Sequence, residues 1–162
     1  MGIPGQKVTD GVKAFHGAGR RMEYKGEYRG AKVYDDYAHH PDELRATLEA
    51  VRGMGDHRIV LAFQPHTYTR TKLLMDDFIR ELQKADVVVL AEIYAARESN
   101  TIGISSADLA AQIPGSIYCE TLQDVTDCLR SIVREGDIVL TMGAGDIFRA
   151  GEALLSGEDS KK

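Results

Sequence analysis

Apolar runs that read as strands alternate along this chain with amphipathic segments that read as helices, and few folds accept that order. "RIVLAF" (Arg58 to Phe63) and "DVVVLAEI" (Asp86 to Ile93) are compact apolar runs, as expected of strands buried on both faces of a sheet. "SIYC" (Ser116 to Cys119) and "DIVLTMG" (Asp137 to Gly143) add two more. Between them lie helical patterns. Leu44, Leu48 and Val51 share one face after Pro41; Leu73, Leu74, Phe78 and Leu82 share one between Thr69 and Lys84. Further helices are expected over Ser106 to Gln112, over Leu122 to Arg134, and in the closing "AGDIFRAGEALL". Short connections between alternating elements predict an α/β domain with a mostly parallel sheet and right-handed crossovers. Upstream, "RMEYKGEYRGAKVYDDYA" reads as two strands with turns around Gly26 and Gly30, giving about six strands in all, one of them an antiparallel edge strand.

In such sheets ligands sit beyond the carboxyl ends of the strands. Four chemically rich stretches fall there: "DDYAHH", "QPHTYTR", "EIYAARES" and "TMGAGD". In "VYDDYAHHPDE", Pro41 suits the first turn of a helix, and Asp42 and Glu43 suit the positive end of its dipole. Capping leaves Asp36, Tyr37, His39 and His40 unexplained. A metal centre is one reading of His and Asp together. Adjacent histidines point apart, however, and no second cluster has ligand spacing, so a loop that orients a substrate is favoured. Packing behind the loop is the default for His40.

"QPHTYTRTK" needs only Thr67 or Thr69 to cap a helix, which does not account for His66, Tyr68 and Arg70. A planar guanidinium among them favours an anion site for a carboxylate or phosphate. In "TMGAGDI" the full phosphate-turn spacing is missing, and close packing through small residues is favoured. No G-x-x-x-x-G-K-[ST] occurs, so any handling of ATP needs its phosphate cradle elsewhere.

Net charge is −5, which provides no global attraction for nucleic acid or an anionic membrane. No apolar run approaches the roughly 18 residues of a membrane helix, and no secretory signal is visible, so no nucleic-acid or membrane partner is expected and a cytoplasmic location is. The two cysteines, Cys119 and Cys128, read as reduced packing residues.

"FHGAGRR", "VYDDYAHHPDE", "LAFQPHTYTRT" and "LTMGAGDI", in that order, resemble the C-terminal domain of the Mur ligases over nearly the whole chain. The resemblance implies a three-layer, Rossmann-like domain over residues 20–156. Residues 1–19 would be a residual interdomain linker with a short helix, and 157–162 a disordered tail. It also implies two further domains ahead of this one, one for the UDP-sugar and one a P-loop ATPase. Members most similar to this chain join L-alanine to UDP-N-acetylmuramate with ATP and Mg²⁺ as cofactors, through an acyl phosphate. On its own the chain is then expected to be inactive and to hold no cofactor tightly.

Carried over by motif, Arg21 and Asp36 match nucleotide-side positions, with Asp36 toward the ribose. Tyr37, His39, His66 and Arg70 match the amino-acid site, with Arg70 as partner of the alanine carboxylate. No residue of this chain is expected to act as a metal ligand or as a catalytic group. Some members carry a second basic residue where this chain has Thr67. Alternatives are a sister ligase that adds another amino acid or a peptide, and a stand-alone nucleotide-binding module.

Overall fold

A computed structural model describes residues 20–157. Residues 1–19 and 158–162, and the linker, helix and tail expected there, lie outside the described residues. Six strands form one sheet: β1 (Glu23–Tyr28), β2 (Ala31–Asp36), β3 (Ile59–Phe63), β4 (Val87–Ala91), β5 (Ile117–Cys119) and β6 (Ile138–Met142). Their order is β1-β2-β6-β3-β4-β5, parallel throughout except for the antiparallel β1–β2 edge. The helices are α1 (Pro41–Arg52), α2 (Tyr68–Leu73), α3 (Met75–Leu82), α4 (Ser106–Ala110), α5 (Leu122–Ile132) and α6 (Phe148–Ser156). The expected α/β class and three layers are present.

Successive side chains of a strand leave on opposite faces, and the apolar strands therefore feed two cores. Ile59, Leu61 and Phe63 join Leu44, Leu48, Phe78, Leu82 and Leu109, burying the inner faces of α1, α3 and α4. Val60 and Ala62 join Val125, Leu129, Ala150 and Leu154 under α5 and α6. Cys119 belongs to the second core, with Cys128 packed against it, and both thiols are free. Burial pushes the Cys119 thiol up to about 12 and raises that of Cys128, as expected of packing residues rather than nucleophiles.

Three expectations are corrected. Gly26 makes no turn. It sits inside β1 at a register shift, with φ +144, as a bulge. The hairpin turn is Arg29–Gly30 alone, both at positive φ, the conformation that matches strand twist in a two-residue loop. The helix expected over Thr69 to Lys84 is broken at Leu74 (φ −108, ψ 21) into α2 and α3. Gly157, assigned to the tail, is instead the cap of α6, donating its N–H to Leu155 O.

Candidate functional site

The parallel strands end together, and the loops after β2, β3, β4 and β6 meet on that rim. They are tied to one another by backbone and side chain. Tyr94 N donates to Pro65 O (2.8 Å) and Thr67 N to Tyr94 O (2.9 Å), which lashes the β4 loop to the β3 loop. Gln64, buried at the end of β3, reaches the β6 loop. Its Oε1 accepts from Asp146 N (3.0 Å) and Ile147 N (3.1 Å), and its Nε2 donates to Asp146 Oδ1 (3.0 Å). A Cβ on Gly145 would fall 2.6 Å from Tyr94 Cγ, so this close approach admits only glycine. The "GAG" turn thus serves packing.

The loop after β2 starts α1 as expected, with Pro41 in the first turn. Glu43 Oε2 accepts from His39 N (2.9 Å) and His40 N (3.1 Å), and His40 is the N-cap. His40 is exposed rather than packed behind the loop, with Nδ1 accepting from Asp42 N at 3.4 Å. Asp36 is buried, 3% exposed. It accepts from Met22 N (3.0 Å), Ala38 N (2.8 Å) and Thr47 Oγ1 (3.2 Å), and so braces the loop from beneath. Arg21 is exposed on the rim, 3.6 Å from Glu43 Oε1.

Four aromatic rings then run across three loops. Tyr37 meets His39 edge-on at 5.4 Å, His39 lies 5.8 Å from His66, and His66 stacks on Tyr94 at 5.7 Å and 21°. The structure therefore brings Tyr37, His39 and His66 into one row. Arg70 follows one turn into α2. Two of its neighbourhood's polar atoms are orphans: His66 Nδ1 and Arg70 Nη1 are buried and make no hydrogen bond among the described residues. Buried polar atoms are seldom left without a partner, and a bound water or ligand is one way such atoms are satisfied. Thr67, between them, has φ +66, a conformation disfavoured for a β-branched residue and typical of strain held at a working site.

Burial, then the charges of Arg70 and His39, push the His66 imidazole below its ordinary 6.5, against a weaker opposite pull from Glu98. The ring is therefore neutral at pH 7. Below about 6.5 the unfolded chain takes up this proton first. Stability contributed by the neutral ring is complete above that pH and falls as acid approaches the folded midpoint. A proton NMR titration is expected to place His66 below 6.5, and Arg70→Ala is expected to move it upward by removing a neighbouring positive charge; a His66 midpoint unmoved by that change would contradict the coupling.

Sequence reasoning missed Arg20, Asp35, Tyr94 and Glu98. Arg20, not Arg21, is locked in place: Nε donates to Asp35 Oδ2 (2.7 Å), Nη2 to Gly143 O (2.8 Å) and Nη1 to Gly145 O (3.1 Å). Its guanidinium also lies over the rings of Tyr37 and Phe148. Thr67 is the N-cap residue of α2 but makes no side-chain cap bond, and Glu98 does that work from the β4 loop. Glu98 accepts from Thr69 N (3.0 Å) and from the Thr69 hydroxyl.

Residues 20–145 match the model of the Mur ligase, glutamate ligase domain. The chain belongs to the Mur ligase family. It is 46% identical over 159 residues to the UDP-N-acetylmuramate–L-alanine ligase of Lachnospira eligens, covering 96% of this chain and 35% of that relative. The ligase of the same name from Agathobacter rectalis is 45% identical over the same share. The chain thus spans about a third of the length of the curated relatives it matches. The crystal structure of UDP-N-acetylmuramate-alanine ligase from Thermotoga maritima superposes with a TM-score of 0.76 at 26% identity, covering 99% of this chain and 34% of that one. A Yersinia pestis folylpolyglutamate synthase/dihydrofolate synthase complexed with AMPPNP and Mn shares the fold, at TM-score 0.70 and 12% identity.

Among the described residues no three His, Cys, Asp or Glu side chains gather as metal ligands. No helix among them is long and apolar enough to cross a membrane.

Proposed function

We propose that this domain binds the acceptor amino acid in a cytoplasmic, ATP-dependent ligase that joins L-alanine to UDP-N-acetylmuramate during peptidoglycan synthesis. The observation that carries the reading is the pair of buried orphans, His66 Nδ1 and Arg70 Nη1, beside the Tyr37–His39–His66–Tyr94 row. The 46% identity to a ligase of that name supports the choice of substrates.

ATP, bound by a P-loop domain, supplies the phosphoryl group that activates the sugar's carboxylate as an acyl phosphate. What this chain adds is position. Arg70 takes the carboxylate of L-alanine, a pairing for which a guanidinium is suited in shape and charge. His66, neutral at pH 7, lies beside it, and His39 and Tyr37 wall the site. The amine is thereby presented to the acyl carbon in one orientation, which lowers the entropic part of the barrier. Arg21, exposed on the same rim, reaches the nucleotide phosphates on domain closure. Asp36 serves the nucleotide side by shaping the loop beneath. Closure of the rim over the activated intermediate excludes water that would hydrolyse it.

The test is reconstitution. The chain alone is expected to release no phosphate from ATP. Joined to the P-loop and sugar-binding domains, it is expected to release phosphate that depends on both L-alanine and UDP-N-acetylmuramate. Release driven by another amino acid or a peptide, with none from L-alanine, would transfer the reading to a sister ligase. Tight ATP binding by the chain alone would favour a stand-alone nucleotide module.

A further inference from the structure

A groove of about 510 Å³ opens on the rim beside the row of rings, lined by His40, Thr67, Thr69, Leu73 and Leu74 together with two charged side chains. These are Arg70 from α2 and Glu98 from the loop after β4. Their charges are opposite, yet among the described residues they are not paired to each other. Arg70 Nη1 is buried without a partner, while the Glu98 carboxylate is held by the Thr69 N–H and hydroxyl. Hydrogen bonds from Thr69, with lesser ones from Tyr68 and Thr67, keep the Glu98 carboxyl below its ordinary range and therefore ionised at neutral pH. The rest of the wall carries no further carboxylate or guanidinium.

A cation and an anion that share a small groove without neutralising each other suit a ligand carrying both charges on neighbouring atoms. An α-amino acid is such a ligand. We propose that Glu98 is a specificity residue of the acceptor site: its carboxylate receives the ammonium group of the incoming amino acid while Arg70 receives the carboxylate. The proposal rests on the reading of this rim as the amino-acid site. It adds the residue that distinguishes an amino acid from a plain carboxylic acid. Because Thr69 fixes the Glu98 carboxylate in advance, the ammonium meets an acceptor already in place, and little ordering is left for binding to supply. Leu73 and Leu74 offer an uncharged side chain a wall without a competing charge.

The experiment is an NMR titration of the chain with L-alanine and with propionate, which keeps the carboxylate and the methyl-bearing carbon but has no ammonium. The unaltered chain is expected to prefer alanine by roughly tenfold or more, the usual scale of one charge-assisted contact. In Glu98→Gln, alanine binding is expected to weaken by about that factor while propionate binding holds or improves, so that the preference collapses toward one. Thr69→Ala loosens the clamp but leaves the charge, and is expected to retain a preference. Equal weakening of both ligands in Glu98→Gln would reduce Glu98 to a brace of α2 and overturn the proposal. A ratio near one in the unaltered chain, with Arg70-dependent binding of both ligands, would overturn it while leaving the acceptor-site reading standing. No binding of alanine at all would overturn both.

Discussion

Replacing Arg70 with alanine, in an enzyme rebuilt to the full length of its relatives, is expected to lower kcat/KM for L-alanine by about a hundredfold or more. That is the scale on which removing one member of a desolvated charge pair acts. In the proposed role the guanidinium would hold substrate and transition state by the same carboxylate, so the loss should appear chiefly as a raised KM for the amino acid. Lysine is expected to restore only part of it, since a point charge cannot reproduce two parallel donors. Stability gives a second, opposite readout. The Arg70 guanidinium makes no hydrogen bond or ion pair among the described residues, and its buried Nη1 is unpartnered. Urea unfolding of Arg70→Ala is therefore expected to show an unchanged or slightly raised midpoint, the pattern of a residue kept for function at a cost to folding. A fall in stability that matched the fall in activity would assign Arg70 to the scaffold instead.

How far the fold could be read from the chain depended on the kind of signal. Buried parallel strands announce themselves as unbroken apolar runs, and β3, β4 and β6 are such runs, so the sheet, its crossovers and the rim where its loops converge followed from pattern alone. The break at Leu74 left no trace in the pattern because the helical spacing continues across it. Leu74 N still donates to Arg70 O and Phe78 N to Leu74 O, so the apolar stripe from Leu74 to Leu82 stays in phase across the break. Gly26 was misread for a related reason. A bulge inserts one residue into one strand, and local sequence cannot distinguish that glycine from one that turns the chain.

The site was legible at the level of loops and less so at the level of residues. Neighbouring like residues were the difficulty. Asp35 and Asp36 leave β2 on opposite faces. Asp35 anchors Arg20 and accepts from Thr141 Oγ1 at 2.7 Å, while Asp36 props the loop that carries Tyr37 and His39. Arg20 turns inward to the β6 loop while Arg21 remains exposed. Strand parity can divide the two aspartates into faces, but which face holds which partner is decided by α1 and β6, far along the chain. Tyr94 and Glu98 were invisible for the same reason. Their roles exist only because the β4 loop lies against the β3 loop, a contact between residues about thirty positions apart with no local signature.

Asp36 is where site and scaffold meet. Removing its carboxylate in Asp36→Ala is expected to destabilise the domain by about 3–5 kcal/mol, because two backbone N–H groups and the Thr47 hydroxyl would be left without acceptors in a buried place. Against the roughly 5–15 kcal/mol that holds a domain of this kind folded, that is enough to populate unfolded chain at 37 °C. Asp36→Asn keeps the shape and one acceptor oxygen, and is expected to cost about 1–2 kcal/mol, since its amide would set a donor against a donor. Urea unfolding followed by circular dichroism measures both. His39→Ala, on the same loop, is expected to cost only about 0.5–1.5 kcal/mol, the scale of one hydrogen bond, because its ring contacts Tyr37 and His66 and its Nδ1 lies 3.0 Å from Tyr37 O but braces no buried backbone group. If Asp36 reached the nucleotide directly, the Asn variant would lose nucleotide-dependent activity at temperatures where it is fully folded. If it acts through the loop, activity and folding of the Asn variant would fall together as temperature rises, and Tyr37 and His39 would lose their fixed positions in the same transition. A buried carboxylate with three internal donors favours the second course: Asp36 determines whether the loop that carries Tyr37 and His39 has a defined shape.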